Sequence, residues 1–183
     1  MGSGNIKRYF IFIIILILLF FVLFFLFNNK KKYEGNLLDV SIKAPDRIII
    51  DNSLPINDFK GVVLKDDDID KQKYFIYYFN IKNNNKKDIN YKILLDKINV
   101  KNPISDEYIK LYLTDLNDKE YLGFNKDDVV TFNNLKDDDN SKILFDDNIK
   151  SGQIKKFKLR VFLSNSAPIE FDVKTFAMKI SVK

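Results

Sequence analysis

Apolar residues are distributed along this chain in two ways. From Tyr9 to Phe27 they are continuous: YFIFIIILILLFFVLFFLF, nineteen residues without charge, Gly or Pro. Beyond Asn36 they alternate with polar ones. Ile89, Tyr91, Ile93 and Leu95 are spaced by Asn90, Lys92 and Leu94, and Phe157, Leu159, Val161 and Leu163 by Lys158, Arg160 and Phe162. A period of two marks strands with one face in a core and the other in water. It predicts strands over 89–95, 109–113, 157–163, 169–173 and 178–182. Shorter strands are predicted at Val40–Lys43, Arg47–Ile50, Gly61–Leu64, Val129–Phe132 and Lys142–Phe145. Tyr74–Ile81 (YFIYYFNI) is apolar on both faces and reads as a central strand. Turn signals separate these segments: Asn83–Asp88, Asn102-Pro103, Asn117-Asp118, Asp137–Asn140, Ser151-Gly152 and Asn165–Pro168. No amphipathic stretch of three helical turns intervenes. The expectation is an all-β, antiparallel β-sandwich over residues 37–183.

The continuous run has a different partner. At about 1.5 Å per residue a helix over 9–27 spans roughly 28 Å, close to the ~30 Å hydrocarbon core of a bilayer. A buried core helix would keep a polar face. A cleaved signal peptide would have a shorter apolar stretch and small residues at its exit. This run exits into Asn28, Asn29, Lys30, Lys31 and Lys32, and the first Ala of the chain is Ala44. It therefore reads as one uncleaved signal-anchor, a transmembrane helix from Tyr9 to Phe27. A short tail (1–8) precedes it and a polar linker (28–36) follows. The bilayer is its expected partner. Lys7 and Arg8 stand on one flank and Lys30, Lys31 and Lys32 on the other, so the positive-inside rule alone is nearly tied. The short tail before a long domain favours a cytoplasmic tail and an extracytoplasmic, cell-surface domain.

Charge sharpens this division. The chain carries a formal net charge of +5. All of that excess lies on the flanks of the apolar run, since Tyr33 to Lys183 holds twenty-five basic and twenty-five acidic residues. The high pI is thus no argument for nucleic acid, and no basic stripe with interleaved aromatics appears. Composition favours Ile, Lys, Asn, Asp, Phe and Tyr, as an AT-rich genome would encode.

With no His and no Cys, Ser-His-Asp triads, Cys nucleophiles and imidazole or thiolate zinc sites are excluded. A Ser–Lys dyad would use Ser53, in Asn52-Ser53-Leu54-Pro55, although the flanking residues read equally as a turn. Asp66, Asp68 and Asp70 have the alternate spacing that opens a calcium loop, but Lys71 and Tyr77 stand where Gly and Glu are needed. Asp137 and Asp139 open a second such pattern that Lys142 and Asn148 break. The pairs Asp127-Asp128 and Asp146-Asp147 sit in turn-like contexts. Tyr108 and Tyr112 beside Lys110 read either as a recognition ladder or as a face covered by other structure. No phosphate-binding Gly loop is present. No catalytic or cofactor-binding residue is expected, and the Asp residues are the weak candidates for a cation.

Two stretches resemble known surface proteins. Phe79-Asn80-Ile81-Lys82-Asn83, continuing to INYKILL at 89–95, reads as a strand, a polar turn and a return strand. Gly152-Gln153-Ile154-Lys155-Lys156-Phe157-Lys158-Leu159-Arg160-Val161-Phe162-Leu163 resembles a G-x-x-x-x-y-x-L-R-x-W-L pattern. Both resemble membrane-tethered Ig-like or jelly-roll surface domains of low-GC Gram-positive bacteria, broadly similar to the camelysin and TasA group. The resemblance implies a surface sandwich acting by protein or cell-envelope contact, with no catalytic residue. That group has a cleavable signal with small residues, which this run lacks, so its fibre assembly by donated strands does not carry over. The functional expectation is a non-enzymatic contact domain. The alternatives are a scaffold subunit of a membrane assembly, and a calcium-dependent carbohydrate binder or enzyme using the Asp-rich loops.

Overall fold

In the computed structural model, which describes residues 40–51, 53–63, 75–168 and 174–183, the alternating segments form two five-stranded antiparallel sheets. In chain order the elements are β1 (Val40–Lys43), β2 (Ile48–Asp51), a short helix α1 (Asp58–Val62), β3 (Phe75–Asn83), β4 (Ile89–Ile98), β5 (Ile109–Thr114), β6 (Val130–Thr131), β7 (Asp137–Asp138), β8 (Ser141–Ile149), β9 (Ile154–Leu163) and β10 (Thr175–Val182). The first sheet has the order β1-β3-β9-β5-β6 and the second β2-β10-β4-β8-β7. Asp39–Lys183 forms one compact unit.

The strands of four or more residues alternate strictly between the sheets, so each connection among them crosses from one layer to the other. The turn expected after Asn83 is present, but β4 returns in the opposite sheet. Among the described residues only the two-residue strands β6 and β7 pair with their chain neighbours, β5 and β8.

Alternation follows burial closely on the inner faces. Phe157, Leu159 and Val161 are fully buried from β9, as are Ile93 and Leu95 from β4. Phe157 stacks on Phe79 across the first sheet at 4.9 Å and meets Tyr121, also at 4.9 Å. Burying one such aromatic contributes about 2–3 kcal/mol.

Three expected strands differ from what forms. Gly61–Leu64 was expected as a strand, but Gly61 and Val62 close helix α1. Asn57 caps it, its side chain accepting the Lys60 N–H at 2.8 Å, with Asp58 in the first turn. Val129–Phe132 shrinks to β6, because Phe132 starts a 3-10 turn that puts its ring edge-on to Phe176 at 5.0 Å. The strand expected at Lys142–Phe145 runs on to Ile149, since Asp146, Asp147 and Asn148 pair with Lys92, Tyr91 and Asn90 of β4. The strand expected at 169–173 lies outside the described residues. So do the apolar run from Tyr9 to Phe27 and its flanks Lys7, Arg8, Lys30, Lys31 and Lys32. Among the described residues no helix is long and apolar enough to cross a membrane.

Candidate functional site

The outer face of the first sheet departs from the simple alternation. Lys158, Arg160 and Phe162 occupy the positions of β9 opposite the core, yet they are 7 %, 2 % and 0 % exposed. Two segments cover them. Helix α1 lies over Phe162, and the turn after β5 folds back over the two cations. At the tip of that turn Asp118 adopts φ 62°, a left-handed conformation that Asp tolerates better than most residues. Its Oδ1 accepts from Lys158 Nζ at 2.8 Å and from an Arg160 guanidinium nitrogen at 2.6 Å. The other guanidinium nitrogen reaches Thr114 Oγ1 at 3.3 Å, and the group lies over the Tyr112 ring at 5.7 Å. Burial pushes the Asp118 carboxyl up, but the hydrogen bonds and charges of Lys158 and Arg160 outweigh it and hold it below the usual carboxylate range.

Tyr112 belongs to the same cluster. Its hydroxyl donates to Glu120 Oε1 at 2.9 Å. Burial and that hydrogen bond push its phenol up to about 12. Lys110 pairs with Asp58 of α1 at 3.3 Å. Tyr112 is buried and Tyr108 half-buried, so the pattern Tyr108-Lys110-Tyr112 is a covered face and not an open recognition ladder. Chemically the cluster is a clamp: one carboxylate bridges two buried cations and fixes a turn on the sheet.

At one end of the sheets lies a cleft of about 620 Å³, within the size range of ligand pockets. Its walls include Ser53 and Leu54 before α1, Pro103 to Tyr108 between β4 and β5, and Ala167 and Pro168 after β9. Two short parallel bridges fix these segments at their bases: Ile56 beside Ser164, and Pro103 beside Thr175. Ser53 Oγ is buried in this wall and has no hydrogen-bond partner among the described residues. Lys97 lines the same cleft, but its ammonium is held by Asp106 at 2.6 Å. Lys174 lines the cleft as well; a serine nucleophile needs its base within about 3 Å, and among the described residues no lysine nitrogen is in hydrogen-bond contact with Ser53 Oγ.

The acidic candidates are engaged by lysines. Asp137 pairs with Lys142 at 2.8 Å and Asp139 with Lys183 at 3.4 Å. Asp138 between them takes Lys92 at 2.8 Å and Lys183 at 3.2 Å. Hydrogen bonds from Lys92 and Lys183 hold the Asp138 carboxyl low. Asp147 pairs with Lys155, while the Asp127 amide donates to Asn125 in a local turn. Asp66, Asp68 and Asp70 lie outside the described residues. Among the described residues no three carboxylates gather to hold a cation.

The Asp118 cluster was not singled out from sequence, although one signal was available. Phe162 is apolar on the supposedly wet face of β9, two positions from Arg160, which points to a covered face. No family model, curated protein or solved structure matches the chain.

Proposed function

We propose that this protein is a single-pass, membrane-anchored, extracytoplasmic β-sandwich that acts without catalysis, by contact with a protein or with the cell envelope. The observation that carries the reading is the uninterrupted Tyr9–Phe27 run between basic flanks, directly upstream of a domain with its own core. An Ig-like or jelly-roll class of sandwich, and kinship with the camelysin and TasA surface proteins, belong to the same proposal. Both draw support from the strand grammar of 152–163 and from successive strands that cross between two sheets.

The chain has no Cys, and Leu122 is 93 % exposed. A Leu122→Cys variant therefore offers a single reporter thiol. Labelling of intact cells by a membrane-impermeant maleimide is the expected result. A thiol that reacts only after the membrane is opened would place the domain inside and overturn the reading.

A further inference from the structure

The chain enters the described domain at Val40, and Val40 pairs with Asn83, the last residue of β3. Two corners meet at this end of the sheets, 84–88 between β3 and β4 and 150–153 between β8 and β9. Asn83 joins them, its amide nitrogen donating to Lys87 O and Ile149 O at 2.8 and 3.0 Å. Ser151 adds a second tie: its hydroxyl donates to Asn85 O, and its N–H to Asp88 Oδ1.

This end is rich in lysine. Lys82, Lys86, Lys87, Lys150 and Lys156 are all exposed. Among the described residues none of the five is ion-paired. Two of the neighbouring carboxylates are already ion-paired, and only Asp88 keeps an uncompensated charge against the five lysines. Asp88 accepts the Ser151 N–H, Asp147 is taken by Lys155, and Asp118 by Lys158 and Arg160. Ile154, 52 % exposed, pairs with Lys82 on the same outer face. The opposite end is mixed in sign, with Lys97 closed on Asp106 and Glu107 beside them. The segment from Tyr33 onward is formally neutral, so a net positive charge at one end is a polarity of the fold and not of the composition.

We propose that this lysine-rich end docks on the anionic headgroups of the bilayer that holds the anchor. The inference rests on the membrane-anchor reading. Dispersed ammonium groups on flexible stems act as point charges and suit a plane of headgroups better than one bidentate ligand. A lysine near an anionic membrane surface is attracted by about 1 kcal/mol, and the pull fades within a Debye length. The occupant follows from the connectivity. Residues 28–39 separate Phe27 from Val40, a tether of at most about 43 Å when fully extended, and it joins the domain at the lysine-rich end.

The test uses the full chain in nanodiscs of phosphatidylcholine, with and without phosphatidylglycerol. A donor dye sits on Ile154→Cys, or on Leu54→Cys at the opposite end, and acceptor dyes sit on lipid headgroups. Energy transfer at position 154 is expected to rise with phosphatidylglycerol and to fall in high salt. Each lysine removed should lower the docked-to-undocked ratio about fivefold, so Lys82→Gln, Lys86→Gln, Lys87→Gln and Lys150→Gln together should abolish the response. Transfer that ignores phosphatidylglycerol, or that rises at position 54 instead, overturns the docking. A chain that fails to incorporate into discs of either composition overturns the anchor reading, which is a separate result.

Discussion

The side-chain amide of Asn83 donates to the main-chain carbonyl of Ile149, sixty-six positions away in the chain, at 3.0 Å. The same nitrogen reaches Lys87 O at 2.8 Å, and Asn83 Oδ1 accepts the Asn85 N–H at 2.8 Å. The main chain repeats the connection. Asn83 N–H donates to Gln153 O, and Gly152 N–H donates to Asn83 O. One fully buried residue thereby ties together two corners that each carry the chain from one sheet to the other.

Asn83→Ala should therefore be among the costly polar substitutions in this domain. It strips a partner from two carbonyls, from the Asn85 N–H and from the Asn85 side-chain amide, and each lost bond of this kind is worth about 0.5–1 kcal/mol. A loss of about 2–4 kcal/mol in urea unfolding is expected. Lys86→Ala, on the same corner but exposed and unpaired among the described residues, should change stability by less than about 0.5 kcal/mol. Equal effects from the two substitutions would show that the clasp does not hold the corners.

Gly61 lies directly beneath the Phe162 ring. A Cβ at this position would sit 2.2 Å from Phe162 Cζ, with two further ring atoms within 2.5 Å. Gly61→Ala should cost about 1–3 kcal/mol through overpacking, although alanine is the better helix former. Phe162→Leu in the same chain should recover part of that loss, because the shorter side chain vacates the collision. Thermal melts of both singles and the double give the coupling. Additive effects would mean that α1 moves away from the sheet at no cost.

Asp118 makes a prediction about acid. Its carboxyl is held below the usual range in the folded state, so the stabilisation it provides is fully present above the unfolded value near pH 3.9. That stabilisation is lost as pH falls towards the folded value. Asp118→Asn keeps a residue suited to φ 62° but removes the charge, and it should flatten the acid limb of the stability profile. Its side chain is 56 % exposed, so the cost at neutral pH should be about 1–2 kcal/mol and not the 3–5 kcal/mol of a fully buried pair. Replacing Lys158 and Arg160 together by Met should be milder than Asp118→Asn, because it leaves no buried charge unpaired. Melts from neutral pH down to about pH 3 decide both points. An acid limb unchanged in Asp118→Asn would remove Asp118 from the account.

Much of the sandwich was legible because inner-face alternation is a local property. Phe157, Leu159 and Val161 read as core and are core. What could not be read depends on distant chain. The outer face of β9 is buried because α1 and the turn at Asp118 fold over it, and nothing near Lys158 or Arg160 announces that cover except Phe162. The sheet to which each strand belongs was equally hidden, since β3 and β4 have the pattern of a hairpin whichever layer they join. Gly61–Leu64 misled for a different reason. Four residues are too few to separate period two from 3.6, and the deciding feature was the Asn57 cap upstream. At Asp139 the lysine that takes the carboxylate comes from far along the chain, Lys183 just past β10, whereas Asp137 is taken by Lys142 on the adjoining strand.

Base should act on the tyrosines as acid acts on Asp118, with the opposite sign. Burial pushes the phenols of Tyr77, Tyr112 and Tyr121 up to about 12, and burial also raises Tyr91. At Tyr112 the hydrogen bond to Glu120 adds to this, and at Tyr121 the Asp115 carboxylate does. A phenol whose folded value lies above the unfolded value near pH 10 contributes stability that is complete below pH 10 and lost as pH rises towards about 12. In an ultraviolet titration the phenols of Tyr77, Tyr91, Tyr112 and Tyr121 should therefore ionise only as the sheet signal in circular dichroism collapses. Tyr121→Phe separates the contributions. It keeps the ring against Phe145 and Phe157 and loses the hydrogen bond to Lys156 O, at a cost of about 1 kcal/mol at neutral pH. With one buried phenol fewer, its alkaline midpoint should shift less than its neutral stability implies. Ionisation of these four near pH 10, with the sheets intact, would show that their rings are not buried as the fold requires.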